Sequence, residues 1–579
     1  MSKKPRTLWR LCRYLWQHKW LLLVALVLTI GSNSFALVGP ELSGKAINAI
    51  EAGPGKVDMT VVWYYAKRML WFYLASAVMT YLLNVLMIAV SRKVTFRMRQ
   101  DIFERLADMP VGYFDSHPTG DIISRISYDT DTINTSLSTD LVQICASGIT
   151  IFGSFVMMMK IAPRLVLVFL ITIPLSIAIT AVITKKFRPL SRERSRSLGA
   201  LNGFVEEMIS GQKTLKAYNQ EENTLDELDD INEIAVQAYY KADYTIAWNG
   251  PSANFINNLS LALISVFGAM LHMAGQMSVG DISSFVLYSR KFSGPIREIA
   301  DLFGELQSAL TAAERVFRII DQPLEPADIP DAKVLENVQG QVELEDVTFG
   351  YLEDKPVLEG FSLEAKPGQM IAIVGPTGAG KTTLINLLMR FYDVQGGQVR
   401  VDGHPVTDLT RDSLRLAWSM VLQDTWLFYG TIYDNIAYGR PTATREEVIA
   451  AAKAAHIHNF ITRLPQGYDT ILTDDAANIS KGQKQLLTIA RAMLMDSPML
   501  ILDEATSNVD TRTEMVVQKA MRALMADKTC FVVAHRLSTI QSADRILVVR
   551  DGNVVESGTH RELMDQKGFY WELYQAQFA

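Results

Sequence analysis

The densest chemistry in this chain lies in Gly375-Pro376-Thr377-Gly378-Ala379-Gly380-Lys381-Thr382-Thr383, which follows the apolar run IAIV and opens the helical run LINLL. Glycines at this spacing let the backbone curl so that successive N–H groups converge on phosphate oxygens. A helix starting at the end of that curl adds its positive pole. Lys381 then reaches the β- and γ-phosphates of a nucleoside triphosphate, and the Thr382 hydroxyl suits Mg²⁺. Further on, the apolar strand MLIL ends in Asp503-Glu504. A buried strand places both carboxylates at the carboxyl edge of a sheet, where open α/β folds bind ligands. There Asp503 suits the magnesium ion, and Glu504 suits the polarisation of an attacking water.

These groups need a sheet to hold them. After Gly340 the short apolar runs QVELEDVTF, QMIAIVG, MLILDEA, TCFVVAH and RILVVRDGNVVESG alternate with helical stretches. That alternation predicts an α/β domain over residues 340–579 around a mainly parallel sheet. Asp402-Gly403 and Asp551-Gly552 predict hairpins. The segment 321–339, with three prolines and several acids, reads as a linker.

The first half of the chain is of another kind. Trp20–Pro40, Met69–Ser91, Leu141–Met159 and Leu165–Thr184 carry no charge, and neither does Tyr244–Gly280. Each run is long enough to cross a hydrocarbon core as a helix. The expected spans are about 20–40, 69–91, 141–159, 165–184 and 253–275. A sixth, about 282–306, is needed to return the C-terminal half to the starting side. It holds Arg290, Lys291, Arg297, Glu298, Asp301 and Glu305, so it must face protein or water rather than lipid. Residues 1–320 thus read as an all-α six-helix transmembrane domain. The basic start and the long basic connections 92–140 and 185–243 place both termini and the nucleotide domain in the cytoplasm of a multi-pass cell-membrane protein. With 56 basic against 62 acidic residues the formal net charge is −6, which gives no basis for a nucleic-acid partner. Cys12, Cys145 and Cys530 are too few and too scattered for a zinc cluster or a disulfide framework.

Taken together the chain resembles an ATP-binding cassette exporter, as a half-transporter with six spans fused to one nucleotide-binding domain. The run NISKGQKQLLTIARAMLMDSPMLILDEATSNVD is similar to the family signature followed by the second nucleotide motif. The resemblance implies that Ser480, Gly482 and Gln483 meet the γ-phosphate of ATP held by another subunit. It implies that Gln423 ligates Mg²⁺ and links it to the membrane domain, that Asp510 lies in a loop crossing the dimer interface, that His535 contacts the γ-phosphate beside Glu504, and that Tyr351 stacks on adenine. The segments Tyr113–Asp131 and Glu206–Glu222 match the loops that carry short coupling helices in this family.

The signature departs from the family's Leu-Ser-Gly-Gly-Gln, reading Ile479-Ser480-Lys481-Gly482-Gln483. A complete catalytic set beside an altered signature resembles one subunit of a heterodimeric exporter, favoured here over a homodimer. The implied activity is ATP-driven export, or flipping, of a small hydrophobic or amphiphilic substrate. Drug export and lipid flipping stay open. An ATP-gated channel or regulatory cassette protein is the alternative, which intact Glu504 and His535 disfavour. Arg290 and Lys291 point to anionic or amphiphilic cargo if they face a cavity, or to an ion pair with a residue such as Glu298.

Overall fold

The computed structural model describes residues 4–51, 57–352, 355–423, 425–473, 478–503, 511–533 and 540–578. Two compact units emerge, one of residues 1–107 and 119–322, the other of 108–118 and 323–579.

The first unit is helical. It contains α1 (Lys4–Trp16), α2 (Lys19–Ile50) and α3 (Met59–Ala107). The second unit's inserted stretch holds α4 (Val111–Ser116). Then α5 (Thr119–Ser124), α6 (Thr130–Thr135) and α7 (Leu141–Ile161) follow, joined by π-helical turns at Arg125–Asp129 and Ser136–Asp140. They are followed by α8 (Pro163–Ser210), α9 (Gln212–Ala217), α10 (Glu221–Ala247), α11 (Asn249–Met273) and α12 (Val279–Ile320). Among the described residues five helical stretches are long and apolar enough to cross a membrane: Lys19–Ile50, Met59–Ala107, Thr119–Ile161, Pro163–Ser210 and Glu221–Met273. The first four charge-free runs lie inside them, and the fifth, Tyr244–Gly280, runs past the end of its stretch at Met273.

The charged helix α12 is held by protein contacts. Ser278 caps it: its hydroxyl accepts from the Asp281 N–H at 3.1 Å, and the Asp281 carboxylate accepts from the Ser278 N–H at 3.1 Å. Tyr288 donates to the Leu37 carbonyl at 2.6 Å and Ser284 to the Pro40 carbonyl at 2.9 Å, both on α2. The backbones pass so closely that a Cβ on Gly44 would lie 2.4 Å from the Gly280 oxygen. Near its far end Arg315 donates to the buried Asp129 carboxylate at 2.8 Å. Gln143 on α7 donates to Glu298 at 3.5 Å.

The second unit is α/β. Its four-stranded antiparallel sheet contains β1 (Val342–Phe349), β2 (Leu358–Ala365), β4 (Gly396–Val401) and β5 (His404–Pro405), in the order β2-β1-β4-β5. Its six-stranded sheet runs β12-β11-β3-β10-β9-β6. These strands are β3 (Met370–Val374), β6 (Trp418–Val421), β9 (Met499–Asp503), β10 (Thr529–Val533), β11 (Arg545–Arg550) and β12 (Asn553–Gly558). All neighbours are parallel except the β11–β12 edge. A small ribbon pairs β7 (Gly430–Thr431) with β8 (Ile471–Leu472).

One sequence expectation needs correcting: Val342–Phe349 belongs to the antiparallel sheet, not the parallel one. Glu343, Glu345 and Asp346 mark a strand with a solvated face, the antiparallel pattern. The parallel strands are buried on both faces. Ile371, Ile373, Phe531 and Val533 pack on one side, toward the antiparallel sheet and α13 (Lys381–Leu388). Ala372, Val374, Cys530 and Val532 pack on the other, against a helical layer. The helices are α14 (Arg411–Leu416), α15 (Ile432–Ala437), α16 (Arg445–Ala454), α17 (His458–Ile461), α18 (Lys481–Met495) and α19 (Thr511–Met525). α14 belongs with the first layer through Leu414, and α15–α19 form the second. Both expected hairpins form, with Asp402-Gly403 and Asp551-Gly552 at positive φ as the tight primed turn requires. The segment read as a linker is tied down. Glu325 pairs with Arg415, and Asp328 accepts from Arg411 at 3.0 Å.

Candidate functional site

Strand β3 ends at Val374, and the chain curls through Gly375–Gly380 into α13. A side chain on Gly375 could not fit, because its Cβ would lie 2.2 Å from the Val549 carbonyl oxygen. Gly378 and Gly380 have φ of 85° and 100°, the left-handed region that L side chains avoid. The curl is therefore dictated by residue type. Lys381 folds back over it and donates to the carbonyls of Gly375 at 2.8 Å and Pro376 at 2.9 Å. Burial pushes the Lys381 amine below its ordinary pKa, against the pull of the Asp503 carboxylate. A cation held partly desolvated over converging amides suits a polyphosphate. Thr377 and Thr382 are exposed, Ala379 is buried in the loop, and Thr383 faces the interior.

Strand register brings the remaining described groups to the same edge. Ile373 of β3 stands level with Val533 of β10, which stands level with Asp503 of β9. Asp503 is thus two strands from the loop, about 10 Å at ordinary strand spacing. Val421 of β6 is level with Leu502, so exposed Gln423 also emerges beside the end of β9. Thr382, Asp503 and Gln423 offer hard oxygen donors on one edge, the set a magnesium ion prefers. Glu504, Asp510 and His535 lie outside the described residues.

Tyr351 follows β1 and is half exposed. Its hydroxyl accepts from Asn386 of α13 at 3.0 Å, which ties the aromatic to the phosphate-loop helix. Its ring meets those of Phe349 and Tyr392 edge-on, each at 5.2 Å.

Tyr392 was not singled out by the sequence reading. It donates to Asp115 of α4 at 2.6 Å, and a Cβ on Gly112 of α4 would lie 2.9 Å from its ring. Burial and the Asp115 carboxylate both push its phenol up. The aromatic that holds α4 therefore touches the aromatic proposed for adenine. The signal was available in Phe391-Tyr392-Asp393, just after the phosphate-loop helix, but an aromatic at a helix end is ordinary core by default.

The signature residues sit at the start of α18. Ser480 caps this helix, accepting from the Gln483 N–H at 3.3 Å, while the Gln483 side chain accepts from the Ser480 N–H at 2.9 Å. Gly482 is buried, and Lys481 at the variant position is exposed. The substitution leaves the capped helix start in place.

Comparison with known proteins adds to this geometry. Residues 22–296 match the family model described as ABC transporter transmembrane region, and residues 358–507 match that described as ABC transporter. The chain is 42% identical, over 94% of its length and 85% of the relative, to a fatty acid ABC transporter ATP-binding/permease protein of Mycobacterium bovis. It is 33% identical to an ATP-dependent lipid A-core flippase of Idiomarina loihiensis, over 100% of this chain and 99% of that one. A solved structure of a bacterial Atm1-family ABC exporter with ATP bound superposes with a TM-score of 0.78 at 30% identity, covering 97% of this chain and 98% of that one. The chain belongs to the ATP-binding cassette exporters, as a membrane-spanning half-transporter whose ATPase is coupled to transport.

Proposed function

We propose that this half-transporter exports or flips a lipid-like amphiphile across the cell membrane, in a dimer that sandwiches ATP between two nucleotide-binding domains. The phosphate loop carries the reading, with Lys381 poised over a curl that glycines alone permit. The fatty acid transporter and lipid A-core flippase similar to this chain support a lipid-like cargo. In this reading residues 1–320 span the membrane, 321–339 connect, and 340–579 bind nucleotide on the cytoplasmic side with both termini.

Gly375–Thr383 cradle the phosphates, Tyr351 stacks on adenine, and Glu504 orients the attacking water while His535 contacts the γ-phosphate. Ser480, Gly482, Gln483 and Asp510 act across the dimer interface. A magnesium ion held by Thr382, Asp503 and Gln423 would neutralise charge developing on the phosphoryl group. ATP binds the closed dimer better than the open one, and that difference drives the conformational change. The altered signature at Lys481 favours a partner of different sequence. The test is ATP-dependent movement of a fluorescent lipid in proteoliposomes, with the chain alone and coexpressed with candidate partners. Stimulation by a partner supports the heterodimer. Full turnover from the chain alone overturns it, and no lipid movement in any combination overturns the lipid reading.

A further inference from the structure

A cavity of about 840 Å³ lies in the membrane unit between α8, α11 and α12. Lys185 and Arg188 of α8 and Arg290 of α12 line it, and among the described residues no carboxylate does. None of the three cations has an ion-pair partner among the described residues. Arg290 falls within the span expected at about 282–306, where uncompensated charge is costly and marks a pathway or a ligand, while Lys185 and Arg188 lie just past the span expected at 165–184. The structure also separates Arg290 from its neighbour, for Arg290 faces the cavity and Lys291 does not.

The walls are ordered. Residues four apart share a helix face. Along α8, Ile173, Ile177 and Ala181 form an apolar track that ends at Lys185. The adjacent track of Thr172, Ser176, Thr180 and Thr184 carries hydroxyls and ends at Arg188. From Ile173 to Lys185 the helix rises about 18 Å, the scale of a long acyl chain. On α11, Asn254 and Asn257 face the same space, and the Asn257 side-chain oxygen is buried with no hydrogen-bond partner among the described residues.

We infer that this cavity seats an amphiphile with an oxyanion headgroup, carboxylate or phosphate, at Lys185, Arg188 and Arg290, with its tail along Ile173, Ile177 and Ala181. The inference rests on the reading of the chain as an exporter of lipid-like molecules and names the headgroup chemistry and the residues that select it. A guanidinium fork pairs with two oxygens of either headgroup, whereas a quaternary ammonium at the same place meets like charge.

The experiment uses the full-length transporter in nanodiscs of neutral phospholipid, without nucleotide. Binding is measured for four sixteen-carbon probes that differ only at the head: palmitate, hexadecyl phosphate, hexadecanol and hexadecyltrimethylammonium. At least one anionic probe should bind about tenfold more tightly than the ammonium. Preference for palmitate identifies a carboxylate seat, and preference for hexadecyl phosphate a phosphate seat; both support the inference. Arg290→Ala and the double change Lys185→Ala with Arg188→Ala should each weaken the anionic probe about tenfold while leaving hexadecanol unchanged. Arg290→Lys should recover most of the loss. Equal binding of the anionic and cationic probes, or anionic binding untouched by these changes, overturns it. Because the assay needs no ATP, absence of ATP-driven transport alongside intact anion-selective binding would defeat the export reading alone.

Discussion

The phosphate loop and the cavity between α8, α11 and α12 both offer positive charge to a ligand, but they are built from different material. The loop presents backbone amides on a curl that leaves no room for a side chain at Gly375, where a Cβ would lie 2.2 Å from the Val549 carbonyl oxygen. Only Lys381 contributes a side-chain charge there, and it is fastened to two carbonyls. The cavity presents three long side chains on helices, and among the described residues no ion pair holds them in place. Backbone recognition is rigid and takes one ligand chemistry. Side-chain recognition on a helical frame can be retuned by one substitution without disturbing the fold. A transporter needs both: one fixed fuel, and a cargo site whose preference can drift between relatives.

Substitutions in the two sites should have effects of very different size. The largest effect should come from Lys381→Ala, which removes the loop's only side-chain cation and should lower ATP turnover about 10³-fold with loss of nucleotide affinity. Steady-state hydrolysis and equilibrium nucleotide binding check it. Next, Glu504→Gln should lower hydrolysis about 10²-fold or more while nucleotide still binds; undiminished turnover would remove Glu504 as the water-orienting group. The cavity variants come third, with about tenfold changes confined to anionic cargo. A smaller effect follows from Tyr392→Phe, which loses one exposed hydrogen bond to Asp115 worth about 1 kcal/mol. Cargo stimulation of the ATPase should fall by less than tenfold, with the KM for ATP nearly unchanged. The smallest is a pH effect. Burial lowers the free Lys381 amine, and bound phosphate would favour its charged form. ATP affinity should therefore decline as pH rises through that lowered pKa, and the decline should vanish in Lys381→Arg, which titration of nucleotide binding against pH would reveal.

The nucleotide region was readable because its chemistry is contiguous. Gly375 to Thr383 is one short run, and Asp503 ends a strand whose apolar character announces a buried position. The antiparallel place of β1 is written in its alternation of apolar residues with Glu343, Glu345 and Asp346, a signal that its position among the strands does not carry. Tyr392 and Asp115 escaped because they are 277 positions apart and meet only through folding. The cavity was half visible. Arg290 stood out as a charge in a span, but Lys185 and Arg188 looked like the basic edge of a loop. In the structure α8 continues unbroken to Ser210, so both remain on its cavity face. Helix α12 reads poorly by hydropathy because of its charges, and among these Arg290 lines the cavity and Glu298 accepts from Gln143 of α7.

The decisive experiment is ATP-driven translocation of labelled palmitate in proteoliposomes, with the wild-type transporter beside its Glu504→Gln variant. Movement should require Mg²⁺–ATP, should be suppressed more strongly by excess hexadecyl phosphate than by hexadecyltrimethylammonium, and should be abolished by Glu504→Gln. Movement that proceeds equally without nucleotide, or that survives in the variant at the wild-type rate, would contradict the export reading.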